Sequence, residues 1–303
     1  MNVLVTGSSG LIGSALVPVL RTGGHRVTRL LRSQARPGEN QFRWDPEGGS
    51  LDPSSLEGSE AVVHLAGASV AGRWTEAKKA RILDSRVKGT KLLSDALASL
   101  ERPPKVMVCS SAIGYYGDRG EEELTEESSP GSGFLADVAR RWEAACQPAA
   151  EAGIRIVNLR TGIVLSPAGG ALAKMLTAFR LGAGGRLGSG HQYMSWIALD
   201  DVIGAIRHAL VTEELSGPVN AVAPNPVTNR EFTRTLGKVL GRPTLLSMPA
   251  FAARLALGQF AEEGLLAGAR VVPARLAQTG YQFRHPELEP ALRRLLDRME
   301  RRA

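Results

Sequence analysis

The first thirteen residues leave this chain few options. Met1 to Thr6 is a short, mostly aliphatic run, and it breaks into Gly7-Ser8-Ser9-Gly10-Leu11-Ile12-Gly13, with glycines three apart. A brief apolar run bounded by turn signals reads as a buried parallel strand. Each glycine then has a separate task. Gly7 allows a tight turn, Gly10 lets backbone approach a pyrophosphate, and Gly13 lets the next helix pack close to the sheet. The helix predicted from Leu11 to Thr22 would aim its free N–H groups and positive dipole end at that phosphate. The candidate cradle is Gly7, Ser9, Gly10, Leu11 and Ile12.

Strand and helix signals go on alternating. Strands are expected at Asn2–Thr6, Arg26–Leu31, Ala61–Leu65, Lys105–Ser110 and Ile154–Leu159. Helices are expected at Leu11–Thr22, Thr75–Leu100 (with a break allowed) and Gly133–Ala152. This rhythm predicts an α/β fold with a doubly wound parallel sheet, whose ligands lie at the carboxyl ends of the strands. After Gly162 the texture changes to glycine-rich loops with a helix at Ala171–Arg180. Trp196–Asp201 reads as a return to the sheet edge, with Asp200-Asp201 capping the following helix, and Val219–Val222 as a further strand. Thr228 with Glu231 three residues on is a capping box opening a helix to Leu240. The predicted division is a dinucleotide-binding unit, 1–165 with 195–225 returning to it, and a smaller, mostly helical substrate region, 166–194 and 226–303.

Composition removes several classes of function. No run of about eighteen apolar residues occurs, so no transmembrane helix and no membrane partner are expected. The start lacks the basic-then-apolar pattern of a secretory signal. Cys109 and Cys146 are the only cysteines, so no disulfide framework is expected and a cytoplasmic setting fits. Net charge is +7, and thirty of thirty-seven basic residues are arginine. They are dispersed and not interleaved with aromatics, so no nucleic-acid partner is expected. The dense cluster Arg293, Arg294, Arg298, Arg301 and Arg302 reads as a solvated helix face. The five histidines show no paired ligand spacing and there is no CxxC, so no metal site is expected. No GxxxxGK[ST] and no GxSxG occur.

The end of the second strand selects the cofactor. An acid there would hold the ribose hydroxyls of NAD. This chain has Leu31 and then Arg32, with Arg36 behind it. A guanidinium matches a phosphate bidentately, so NADP is the expected cofactor. Leu65, Ala66 and Gly67 supply small residues against which a cofactor can lie, and Arg86 on the next helix is a candidate to reach the phosphates.

These pieces occur in order with Arg73-Trp74-Thr75, Ser85-Arg86, Gly114-Tyr115-Tyr116-Gly117, Trp142-Glu143, Gly188-Ser189-Gly190-His191-Gln192 and Gly280-Tyr281-Gln282-Phe283. As a set they resemble the extended short-chain dehydrogenase/reductases, in the atypical epimerase-family branch with a small C-terminal domain of unknown function. The resemblance covers essentially the whole chain. It implies a Rossmann-type fold, an NADP-type cofactor and a substrate region built from the C-terminal part. Relatives of this fold pair through helices, which leaves a homodimer open.

One departure stands out. Ordinary members use a YxxxK pair and a serine, the phenol serving as acid or base while hydride moves. At the matching spacing from Glu143 this chain has Leu135 and Ala139, neither able to move a proton. Candidate substitutes are Ser111 and Tyr116; the serine position falls on Ser110, Ser111 or Ala112 according to alignment, and Tyr115 and Asp137 lie close by. Arg160 suits either an anionic substrate or a salt bridge. Arg73, Trp74, Lys174, Gln192, Tyr193 and Trp196 are the expected substrate wall. The function expected is an NADP-dependent oxidoreductase or epimerase acting on a small polar, anionic or sugar-like substrate. The alternative is a non-catalytic NADP(H)-binding sensor.

Overall fold

Val3 and Val5 face one side of the first strand and Leu4 the other, and each side meets its own core. That split follows from the two-residue period of a strand covered on both faces. The computed structural model describes residues 1–34 and 40–300, with side chains to Asp297. Its main sheet has seven strands: β1 (Asn2–Thr6), β2 (Arg26–Leu31), β3 (Gln41–Arg43), β4 (Ala61–His64), β5 (Val106–Ala112), β6 (Arg155–Thr161) and β7 (Gly217–Ala221). All are parallel, in the order β3-β2-β1-β4-β5-β6-β7. The order reverses between β1 and β4, which opens a crevice at their carboxyl ends.

Helices α1 (Leu11–Thr22), α2 (Glu76–Ala98), α3 (Phe134–Ala144), α4 (Gln147–Glu151), α5 (Gly170–Arg180), α6 (Leu199–Val211), α7 (Asn229–Leu240) and α8 (Ala250–Leu257) follow in chain order. Leu16 and Leu20 of α1 pack with Val202 and Ile206 of α6 on one face. Leu93 and Leu97 of α2 pack with Trp142 of α3 on the other. A third core gathers Leu172 and Phe179 of α5, Phe232 and Leu236 of α7, and Leu292 and Leu295 of the terminal helix Leu288–Glu300. It forms the C-terminal region beside the sheet.

Several expectations change in detail. The α2 helix is unbroken. The stretch expected as one helix at 133–152 is two, because Pro148, placed near the start of α4, has no N–H to continue a helical ladder. Trp196–Ala198 does not rejoin the main sheet; it pairs with Ile163–Leu165 in a separate two-stranded ladder. Asp201 does not cap α6. It is fully buried, and its carboxylate accepts hydrogen bonds from the backbone N–H groups of Arg284 (2.7 Å) and His285 (3.0 Å), tying the C-terminal segment down. The capping box is present, with Thr228 Oγ1 accepting from the Glu231 amide. Arg36 lies outside the described residues, as do the side chains of Arg298, Arg301 and Arg302.

Candidate functional site

The chain turns off β1 through Gly7 at φ +65°, where a Cβ would lie 2.6 Å from the carbonyl carbon of Leu65. Both the backbone conformation and the neighbour therefore exclude a side chain. Gly13 is equally constrained, since its Cβ would meet the Gly7 carbonyl oxygen at 2.3 Å. Gly10 differs: a Cβ there would meet only the Gly7 oxygen, at 3.3 Å, and otherwise faces open space. Gly10 is the N-cap of α1, no side chain caps the helix, and its first turn holds no acid. The amides of Leu11 and Ile12 thus stand at a positive helix end with no carboxylate in competition. Ser8 Oγ is buried beside this turn with no hydrogen-bond partner. An uncapped helix end and an orphaned hydroxyl fit a bound pyrophosphate.

The exit of β4 is the second wall. Thr6 Oγ1 accepts from the amides of Leu65 (3.2 Å) and Ala66 (3.3 Å) and is bonded to His64 Nδ1 at 2.7 Å. His64 Nε2 meets Thr90 Oγ1 at 3.0 Å, and Trp142 Nε1–H donates to the same oxygen. His64 is fully buried, and burial pushes its pKa down to about 4, so it is neutral near pH 7. The Ala68 amide donates to Ser85 Oγ, while Arg86 donates to the Ala68 carbonyl at 3.0 Å and lies 4.8 Å over the Trp142 ring. Burial lowers the Arg86 pKa to about 10, which leaves it charged at neutral pH. Sequence suggested Arg86 as a direct phosphate contact; the bonds it makes here brace the 66–68 loop.

At the end of β2, Leu31 is half-buried and Arg32 extends into solvent, its side chain 76% exposed. Its neighbour Glu47 is 3.9 Å away and 72% exposed. An exposed pair of that kind is worth at most about 1 kcal/mol, so the guanidinium is available to an incoming phosphate.

Leu135 occupies the first turn of α3, its Cβ against Gly114, and Ala139 is buried. The two substitutes named from sequence are both buried. Ser111 is 4% exposed and donates to Glu143 Oε1 at 2.7 Å. Tyr116 is fully buried, and its hydroxyl donates to Asn220 Oδ1 at 2.7 Å while accepting from Arg160. Burial raises the Tyr116 pKa, with Arg160 opposing it. Ser111 and Tyr116 are thus joined in one buried hydrogen-bonded network. Its centre is Arg160, 3% exposed, paired with Glu143 through Nε and Nη2, each at 2.8 Å, and stacked 3.4 Å from the Tyr115 ring centre. Arg160 thus forms the salt bridge. Asp137 pairs with Arg140 and Arg141. Trp196, expected in the substrate wall, is fully buried, with its indole N–H on the Asn225 carbonyl. Trp74 packs edge-on against Phe134 and beside Phe260, while Arg73 and Lys174 are exposed.

One ionisable group at this place was not foreseen. Glu263 Oε2 accepts from the Leu135 amide at 2.8 Å, and Oε1 accepts from Gln259 Nε2 at 2.6 Å. It sits in a π-helical turn, Glu262–Leu266, a feature often found at functional sites. No spacing signal points to it, because its partner is 128 residues away.

Residues 3–221 match the NAD dependent epimerase/dehydratase family, and residues 248–295 match a domain of unknown function (DUF1731). Epimerase family protein MT2273 of Mycobacterium tuberculosis is 46% identical over 291 residues, 96% of each chain. The crystal structure of human epimerase family protein SDR39U1 with NADPH superposes with a TM-score of 0.88 at 36% identity, covering 98% of this chain and 99% of that one. A Corynebacterium glutamicum structure described as a nucleoside-diphosphate sugar epimerase is 39% identical with a TM-score of 0.79, over 96% of this chain and 57% of that one. The glycine turn, the strand order and these matches along nearly the whole length agree: the chain belongs to the NAD-dependent epimerase/dehydratase family, within the extended short-chain dehydrogenase/reductases.

Proposed function

We propose that this protein is an NADP(H)-dependent oxidoreductase or epimerase acting on a small polar substrate of anionic or sugar-like character. The observation that carries the cofactor choice is Arg32, exposed at the end of β2 next to the glycine cradle, where an acid would repel a 2′-phosphate. The NADPH in the human relative supports the same choice. When bound, the nicotinamide supplies hydride chemistry. This chain's part is to bind and orient it. Leu11 and Ile12 amides take the pyrophosphate, Arg32 the 2′-phosphate, and the braced Leu65-Ala66-Gly67 loop the flank. Exposed Arg73 and Lys174 favour an anionic substrate, and the name of the Corynebacterium relative supports the sugar-nucleotide class.

The Arg32→Asp variant tests the cofactor reading. NADP binding should weaken by about 100-fold, with NAD binding changed far less, as read by fluorescence titration. Equal loss of both, or of neither, removes Arg32 from the 2′-phosphate site.

A second reading, a non-catalytic NADP(H) sensor, is favoured by one observation: none of the four tyrosines is followed by a lysine four residues on, so the chain holds no YxxxK. Incubation with NADPH, carbonyl compounds and nucleotide sugars separates the two readings. Cofactor oxidation or an epimerised product supports the enzyme, and tight cofactor binding with neither supports the sensor.

A further inference from the structure

Nine large apolar side chains are exposed among the described residues, and six belong to one place. Leu181 follows α5 at 79% exposure, Leu245 (92%), Leu246 (57%) and Met248 (49%) lie on or beside the strand Leu246–Met248, and Phe251 (70%) and Leu255 (77%) share a face of α8. These elements are joined in space. Leu246–Met248 pairs in parallel with Gly185–Leu187, four residues after Leu181, and runs directly into α8. Exposures this high mark protruding tips rather than the floor of a groove.

The charge around the tips is one-sided. Residues 166–199 and 232–261 contain no Asp or Glu, yet hold two lysines and five arginines. Arg186 lies opposite Ser247 in the strand pair, Arg242 sits three residues before Leu245, and Arg254 lies between Phe251 and Leu255. Glu262, the first acid after α8, pairs with Arg254.

We propose that this face docks peripherally on an anionic phospholipid surface, with Leu245, Phe251 and Leu255 entering the headgroup boundary and the flanking arginines meeting lipid phosphates. Apolar tips set among cations on a short helix are what such a contact requires. A second copy of this chain would bring the same arginines face to face, and like charges oppose that pairing. A nucleic-acid backbone would answer the arginines but leave six apolar tips in water. Among the described residues no helix is long and apolar enough to cross a membrane, which leaves a surface contact untouched.

Flotation of the purified protein with phosphatidylcholine vesicles, with and without phosphatidylglycerol, is the test. The expected result is recovery with the anionic vesicles, little with neutral ones, and release at high salt. Phe251→Ser with Leu255→Ser should lower recovery by about tenfold or more. Arg186→Glu with Arg242→Glu should do the same, and NADPH binding and melting temperature should be unchanged in both. Absence of the wild-type protein from anionic vesicles overturns the proposal. So does a concentration-dependent dimer, seen by light scattering, that the Phe251/Leu255 variant abolishes. Retention on duplex DNA matching that on vesicles, with both indifferent to Phe251 and Leu255, overturns it in favour of a general polyanion site.

Discussion

At Gly13 a Cβ would sit 2.3 Å from one backbone oxygen, whereas at Gly10 it would meet a single atom at 3.3 Å. The two positions therefore separate folding from binding. Gly13→Val should open the turn and abolish both saturable NADPH binding and part of the stability. Gly10→Ala should leave the melting temperature nearly unchanged yet weaken NADPH, because its methyl would enter the proposed phosphate site. Calorimetry beside fluorescence titration reads both. His64 yields a pH prediction. Its folded pKa, about 4, lies below the ordinary 6.5, so the unfolded chain takes the proton first as pH falls. Stability is unaffected above about pH 6.5 and declines between 6.5 and 4, by roughly 3 kcal/mol in all from this group. Urea melts at pH 7 and pH 4.5 should show that decline in the wild type, and a shallower one in His64→Gln. His25 and His208, also lowered by burial, act in the same direction.

At the scale of elements, the start of α3 shows how a local pattern is completed from elsewhere. The helix has Gly133 as its N-cap and no side-chain cap of its own. Its missing acceptor comes from Glu263, which also ties the C-terminal region to the sheet side. Glu263→Ala should cost about 1–2 kcal/mol and open the 250–266 segment to protease in a limited digest, with cofactor binding retained. Undiminished protease resistance would show that the contact holds nothing. The start of α7 is the opposite case. Thr228 and Glu231 complete the cap within four residues, and that helix could be read from sequence to within a residue. The strands β1 and β2 were likewise legible, since aliphatic runs between glycine turns are local signals. The 196–201 stretch was not, because an apolar triplet looks the same whether it joins the large sheet or pairs with Ile163–Leu165.

For the whole molecule, the cofactor and the fold are linked by mass action. NADPH at 100 times its Kd should raise stability by about 2.7 kcal/mol, and NADH at equal concentration by clearly less. Thermal melts with each nucleotide measure the difference, and equal shifts would contradict an arginine-gripped 2′-phosphate. The sequence by itself determined the glycine turn after β1, the alternation that builds a parallel sheet, the arginine after β2 and the lack of any YxxxK spacing, since each is written in residues a few positions apart. Tertiary structure alone decided which polar groups are sealed in. Tyr116 meets Asn220 across 104 residues, Arg160 meets Tyr116 across 44, and Asp201 meets Arg284 across 83. Such partners are chosen when layers close over one another and every buried donor or acceptor must be matched, a condition that no periodicity along the chain records.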